Sequence, residues 1–121
     1  MKKQPIDIVE IYTREDLRRF VNFSFILYGQ NPHWTPPIIE EEIDTLDQSK
    51  NPVFKNAKAH YFLAFKGGEI AGRIAVMINW IEVKKLKKKK VRFGWFDVID
   101  DINVTKALME KVHAIGNENG M

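Results

Sequence analysis

The segment from Lys84 to Lys90 holds the densest group of charged side chains in the sequence. Six of its seven residues are lysines, in a chain whose net charge is only +3. Such a cluster can neutralise phosphates and bind nucleic acid without sequence preference. Four residues near it in sequence could add stacking on bases, namely Arg73, Trp80, Arg92 and Trp95. The alternative is a solvated connection between strands that discourages edge pairing. We favour this alternative because the rest of the chain is near neutral to acidic, so we expect no nucleic-acid partner.

The histidines and glycines do not form a pattern typical of a metal or phosphate site. The chain has no cysteine, and its histidines, His33, His60 and His113, are far apart in sequence. Zinc ligands come in close spacings, so we expect no metal. The pair Gly67-Gly68 predicts a turn and not a phosphate loop, because no helix follows it.

Composition sets the outer limits of the interpretation. A chain of 121 residues, with 45% hydrophobic and 29% charged residues, fits one soluble domain spanning 1–121. The first residues contain no apolar core of a signal peptide. No apolar run approaches the roughly 20 residues that a membrane span needs. We therefore expect a cytoplasmic protein with no membrane partner.

Three apolar, β-branched and aromatic runs predict the strands around which the chain is organised. They cover about 60–66, 69–79 and 91–99. The two glycines between the first two runs supply the positive φ angles of a tight hairpin turn. The third run follows a connection short enough for an antiparallel neighbour. The sequence therefore predicts a three-stranded meander that helices must cover.

An earlier β-rich run, 6–12, predicts a first strand, and two helices should follow it. Thr13 begins a capping-box pattern, so we expect a helix over about 14–28. Thr35 can cap a second helix that has Pro36 at its first position. In that helix an apolar stripe is expected at Ile39, Ile43 and Leu46.

A last helix should follow the meander. Either Asp101 or Asn103 can cap it, and Gly120 is the expected left-handed stop. The predicted order is β-α-α-β-β-β-α. Seven residues are expected to be buried between the sheet and its helices: Leu17, Phe20, Ile74, Val76, Phe93, Leu108 and Val112.

Several short segments, taken in order, suggest a family. They are Tyr28-Gly-Gln-Asn-Pro-His-Trp-Thr-Pro-Pro37, Lys50-Asn-Pro-Val-Phe54, Ala71-Gly-Arg-Ile-Ala75 and Phe93-Gly-Trp-Phe96 followed by Asp100-Asp101. With these segments the chain resembles the amino-terminal half of a longer bacterial GNAT-like protein (GCN5-related N-acetyltransferase superfamily). The resemblance implies an α/β (α+β) fold with an antiparallel meander packed by helices, incomplete at its carboxy terminus.

The resemblance also implies an activity, which is acyl transfer from acetyl-CoA to an amine. We expect the isolated chain to be inactive. Two alternatives remain: a nucleic-acid-binding module using the lysines of 84–90, or a structural half-domain without catalysis.

The superfamily's cofactor motif is the point at which the chain departs from the pattern. In GNAT proteins, glycines between the fourth strand and the next helix let backbone N–H groups reach the pyrophosphate of coenzyme A. The corresponding segment here, 97–105, has no glycine, arginine or glutamine. Candidate cofactor-binding residues within it are Val98, Ile99 and Asn103. We expect acetyl-CoA to bind weakly or not at all.

Asp97 is the candidate catalytic residue that the resemblance implies. Many GNAT enzymes use a carboxylate of the fourth strand as general base. The alternative is a strand-end residue with no catalytic role, since a single carboxylate without a visible partner says little.

The last strand and the last helix should also form a contact between two copies of the chain. The outer edge of the strand from Val91 to Val98 has no later partner in the sequence. Open edges pair readily with other chains. We therefore expect a homodimer built on this strand and the third predicted helix.

Overall fold

A computed structural model describes residues 5–87 and 89–121. Residues 1–4, which entered the signal-peptide prediction, and Lys88 of the lysine cluster lie outside the described residues. The elements are β1 (Ile6–Ile11), α1 (Arg14–Tyr28), α2 (Ile39–Leu46), a 3-10 turn (Pro52–Lys55), β2 (Ala57–Lys66), β3 (Glu69–Asn79), α3 (Trp80–Lys84), β4 (Arg92–Val98) and α4 (Ile102–Glu118). The predicted order is confirmed, with the 3-10 turn and the short helix α3 as additions.

The four strands form one antiparallel sheet in the order β1-β2-β3-β4. The hairpin between β2 and β3 turns where it was predicted, and Gly67 and Gly68 have φ angles of 59° and 81°. A two-residue turn with both φ angles positive matches the twist of the flanking strands. β1 and β4 are the two edges of the sheet.

The start of α1 is confirmed, whereas that of α2 is corrected. The Thr13 hydroxyl accepts a hydrogen bond from the Asp16 N–H at 3.1 Å, as the capping pattern predicts. The prediction that Thr35 caps α2 is wrong, because the helix begins at Ile39 with no side-chain cap. The consecutive prolines Pro36 and Pro37 explain why α2 begins later than predicted, since a proline biases the residue before it away from helical φ and ψ.

The core has two halves, one on each face of the sheet. Helices α1 and α2 cover one face, on which Phe20, Ile43 and Leu63 are buried. Helix α4 covers the other face, on which Ile74 and Leu108 are buried. Six of the seven predicted core residues are confirmed as buried: Leu17, Phe20, Ile74, Val76, Leu108 and Val112.

Phe93 is the exception, and the prediction that it is buried is wrong. Its side chain is 47% exposed and packs edge-on against Phe96 at 6.0 Å between ring centroids. β4 is an edge strand, so residues at its start have a strand neighbour only on the β3 side. Alternating hydrophobicity cannot distinguish such a position from one inside the sheet.

Candidate functional site

Asp97 lies in a hydrogen-bonded cluster at the end of β4. Its backbone pairs across the sheet with that of Arg73 on β3. The Arg73 guanidinium donates to Asp97 Oδ2 twice, from Nε at 3.0 Å and from Nη2 at 2.8 Å. Because both side chains are largely buried, with 7% of Arg73 and 18% of Asp97 exposed, this is a buried ion pair.

Helix α1 closes this cluster from the other side. The Tyr28 hydroxyl donates to Asp97 Oδ1 at 2.5 Å, and Arg73 Nη1 donates to the Phe20 carbonyl at 2.8 Å. The hydrogen bond to the Asp97 carboxylate raises the pKa of Tyr28, so its phenol stays protonated near neutral pH. We call Tyr28, Arg73 and Asp97 the Asp97 cluster. It joins the end of α1 to β3 and to β4, the edge strand of the sheet.

The linker after α1 is attached to the same helix. The Trp34 ring lies edge-on to Phe25 at 4.9 Å and tilted against Tyr28 at 6.1 Å. The segment after Tyr28 is thus held beside the Asp97 cluster by aromatic contacts.

A β-bulge in β4 lies next to the Asp97 cluster. Arg73 pairs with Asp97 and Ala75 pairs with Gly94, so Trp95 and Phe96 together oppose the single residue Ile74. Trp95 has a φ angle of 46°, and its indole N–H donates to Glu42 Oε1 of α2 at 2.5 Å. Bulges interrupt the ladder of hydrogen bonds and are frequent beside active sites, where they redirect side chains. No pattern in the sequence indicated this bulge.

The predicted cofactor segment lies between β4 and α4, where its backbone is already hydrogen-bonded. Val98 packs into the core beneath α4, and the Ile99 N–H donates to the Ala71 carbonyl at 2.9 Å. The Asn103 N–H donates to Asp101 Oδ1 at 2.9 Å, so Asp101 is the cap of α4. Of the two predicted caps, Asp101 is the one that the fold uses.

Asp101 also carries an ion pair. Lys66 Nζ, at the end of β2, donates to Asp101 Oδ2. This lysine, together with the N–H of Asn103, lowers the pKa of the Asp101 carboxyl. The start of α4 therefore holds an ionised side chain of the protein at the place where a GNAT protein would hold a pyrophosphate.

The residues at the start of α4 do not fit a pyrophosphate in the GNAT manner. A pyrophosphate site at a helix start binds the anion through free N–H groups and the positive end of the helix dipole. Here the Asp101 side chain takes the N–H of Asn103, and the Asp101 carbonyl takes those of Val104 and Thr105, at 3.1 and 3.3 Å. An incoming phosphate would have to displace the carboxylate and break its pair with Lys66.

A cavity of about 430 Å³ lies at the other end of the sheet, between the end of β1 and the start of β2. The Tyr61 hydroxyl at its wall donates to the Leu46 carbonyl at 2.6 Å, and burial raises the pKa of Tyr61. The Gln48 amide pairs with both the N–H and the carbonyl of Ala59. Arg14 donates to Asp47 at 2.9 Å. These polar groups join α1, α2 and β2 to one another, so they serve the fold.

The three histidines lie on different parts of the fold. His60 Nδ1 lies 2.7 Å from Glu10 Oε2 across β1 and β2, whereas His33 is on the linker and His113 on α4. Within 5–87 and 89–121, no three His, Asp or Glu side chains are grouped closely enough to hold a metal ion. Over the same residues, no helix is long and apolar enough to cross a membrane.

The four residues suggested for stacking on bases all have other contacts. Arg73 is in the buried ion pair, and Arg92 donates to Glu82 from Nε and Nη2. Trp95 is hydrogen-bonded to α2, and Trp80 is half-buried with the Lys84 ammonium 5.6 Å above its ring. The structure therefore does not favour the nucleic-acid alternative.

Of the predicted site residues, the fold brings Asp97 and Val98 to one end of β4 and places Ile99 and Asn103 just beyond it. The partners of Asp97, which are Arg73 and Tyr28, were not predicted. One signal for Arg73 was present, since it is a lone charge inside the apolar run of β3.

Comparison with known proteins gives two relatives and one solved structure. No known family model matches the chain. Protein YghO of Escherichia coli (strain K12) is 34% identical over 101 residues, which are 84% of this chain and 26% of the relative. A bacterial ceramide synthase of Caulobacter vibrioides is 27% identical over 125 aligned residues, covering 94% of this chain and 33% of the relative. The chain thus spans about a quarter to a third of the length of these relatives.

The solved structure is a tandem GNAT protein from the clavulanic acid biosynthesis pathway, without AcCoA. It matches 95% of this chain with a TM-score of 0.72 at 12% sequence identity, and the match covers 34% of that protein. At this identity the similarity concerns the fold. The predicted fold class, a GNAT-like arrangement of helices on an antiparallel sheet, is confirmed.

Proposed function

We propose that this chain, which has the fold of a GNAT half-domain, is part of a protein that transfers an acyl group from an acyl-CoA to an amine. The observation that carries the proposal is the match of 95% of the chain to a tandem GNAT protein. The relative from Caulobacter adds support, since it is named a ceramide synthase and a ceramide is an amide. Because the chain spans a quarter to a third of its relatives, we propose that it is inactive by itself.

Within this proposal Asp97 remains the candidate catalytic carboxylate. Oδ2 accepts two hydrogen bonds from Arg73, whereas Oδ1 accepts one from Tyr28. A carboxylate oxygen can accept two hydrogen bonds, so Oδ1 is the oxygen with an acceptor site left for an amine. In the undisturbed cluster, Asp97 holds the end of α1 against β4.

The first prediction concerns acetyl-CoA. Because Asp101 occupies the start of α4, we expect the chain to bind acetyl-CoA far more weakly than the ~1 μM scale, which corresponds to about −8 kcal/mol. Asp101→Gly removes the carboxylate and its negative charge, and should strengthen binding by about fivefold, the effect of one charge at a helix start. Isothermal titration calorimetry measures both proteins, with circular dichroism to verify that α4 persists.

The two possible failures of this experiment have different meanings. A dissociation constant near ~1 μM for the unchanged chain would contradict the expected weak binding and leave the acyl-transfer proposal in place. If Asp101→Gly keeps its helix and gains no affinity, the Asp101 carboxylate is not what keeps acetyl-CoA from the start of α4. The proposed function, which is based on the fold match, would be unaffected.

The second prediction concerns assembly. We propose that the chain forms a homodimer through the outer edge of β4 and helix α4, because β4 ends the sheet and Phe93 is exposed on it. At ~100 μM, well above the range of ordinary specific interfaces, sedimentation equilibrium should give twice the 14.1 kDa mass of the chain. Phe93→Lys should restore the monomer, whereas Ile26→Lys at an exposed position of α1 should not. A monomer of 14.1 kDa for the unchanged chain would rule the dimer out.

A further inference from the structure

The segment that leads from β3 to β4 combines exposed apolar side chains with lysines. Ile81 of α3 is 40% exposed and Leu86, just after it, is 58% exposed. The described lysines of the segment, all outside the buried core, are Lys84, Lys85, Lys87, Lys89 and Lys90. We call Ile81, Leu86 and these five lysines the basic–apolar surface.

The backbone ties Leu86 to the short helix that carries Ile81. At the end of α3, the N–H groups of Lys85 and Leu86 both donate to the Ile81 carbonyl, at 2.9 and 3.2 Å. Leu86 is therefore attached to the last turn of α3, and the fold leaves both Ile81 and Leu86 exposed in this segment.

This surface carries an excess of positive charge. The segment between β3 and β4 has one acidic residue, Glu82 of α3, which binds the Arg92 guanidinium at 2.7 Å. Five described lysines then stand within seven residues of chain. Such an excess of positive charge attracts an anionic partner.

The side chains present favour a lipid surface over a nucleic acid. Single-stranded nucleic acid is bound by exposed aromatic rings and arginines. In this segment Trp80 is half-buried and Arg92 is paired with Glu82. Within the basic–apolar surface itself, the exposed groups are aliphatic side chains and ammonium groups, the combination by which interfacial segments bind anionic membranes.

We infer that the basic–apolar surface docks on an anionic lipid bilayer, with Ile81 and Leu86 inserted among the lipids and the lysines beside the headgroups. This inference departs from the expectation of no membrane partner. That expectation was drawn from the lack of an apolar run long enough to span a bilayer, and surface docking does not require such a run. The inference goes beyond the proposed acyl transfer and does not depend on it.

Vesicle co-sedimentation tests the inference on the full chain. Vesicles of one part phosphatidylglycerol to three parts phosphatidylcholine should retain the protein at ~0.1 M salt, and vesicles of phosphatidylcholine alone should not. Raising the salt to ~0.5 M should release it, because screening weakens the attraction of the exposed lysines. Lys85→Gln should weaken partitioning by about fivefold, equivalent to ~1 kcal/mol for one lysine near the membrane.

Matched variants separate the lipid surface from other anionic partners. Lys106→Gln removes an exposed charge of α4 and should leave vesicle binding unchanged. Leu86→Ser should weaken vesicle binding severalfold, whereas Ile26→Ser, at an exposed position of α1, should not. Failure to bind anionic vesicles would overturn the inference. So would binding that Leu86→Ser leaves intact, or retention of mixed-sequence DNA with no retention of vesicles, which would indicate a purely electrostatic, nucleic-acid-type surface.

Discussion

Replacing Asp97 by asparagine is expected to lower the free energy of unfolding by about 3–5 kcal/mol, the cost of leaving a buried charge without its partner. Arg73 would keep its charge with only 7% of its side chain exposed. Tyr28 would lose a charged acceptor and donate to a neutral amide instead. Urea unfolding followed by circular dichroism measures the change.

The exposed neighbour Asp100 gives the matched control. Asp100→Asn makes the same chemical change three residues later and should alter stability by no more than about 0.5 kcal/mol. The double variant Arg73→Met, Asp97→Leu should regain much of the loss, because a packed apolar pair often replaces a buried ion pair at little cost. A loss below about 0.5 kcal/mol for Asp97→Asn would mean that the pair is hydrated and contributes little.

Leu108→Ala is expected to cost about 2–5 kcal/mol by leaving a cavity between α4 and the sheet. Leu108 is fully buried, and the backbone of Gly72 on β3 lies close to its side chain. A Cβ atom placed on Gly72 of β3 would lie 2.9 Å from Val104 Cγ1 and 3.0 Å from Leu108 Cδ1. Gly72 thus lets α4 pack directly on β3. Because this packing is close, the residues around Leu108 have little freedom to move into the cavity that Leu108→Ala would leave.

Ile102→Ala provides the comparison on the same helix. Ile102 is 64% exposed, so its truncation should change the free energy of unfolding by about 0.5 kcal/mol or less. Urea unfolding of the two variants side by side isolates the effect of burial, since both introduce alanine into α4. An effect of Leu108→Ala as small as that of Ile102→Ala would mean that α4 is not packed on the sheet as described.

The proposed dimer surface and the proposed lipid surface lie in neighbouring parts of the chain. The dimer uses the edge of β4, whereas the lipid surface uses α3 and the lysines before β4. Like charges oppose a dimer that brings the two lysine segments together, and binding to anionic lipids would reduce that repulsion, so lipid binding should favour the dimer. Because the two surfaces use different residues, Leu86→Ser tests the lipid surface and Phe93→Lys tests the dimer.

The elements of this fold could be predicted from sequence because their signals are local. Thr13 caps α1, Asp101 caps α4, and Gly67-Gly68 turns the hairpin, each through contacts within a few residues. Periodic apolar positions predicted most of the core for the same reason, since they report which face of a helix or strand is covered. The resemblance carried by short segments along the chain then led to the GNAT fold.

The chemistry of the candidate site depended on tertiary structure. Asp97 and Arg73 are 24 residues apart, and Tyr28 lies 69 residues from Asp97. They meet only because the register of β3 and β4 and the position of α1 bring them together, and no local pattern specifies a register shifted by a bulge. Lys66 reaches Asp101 for the same reason, across the end of the sheet. The sequence by itself determined the order of the four strands and the three main helices, and the caps of α1 and α4. Strand register and helix docking decided which charges pair and which stay exposed, because those pairings depend on contacts between residues distant in sequence.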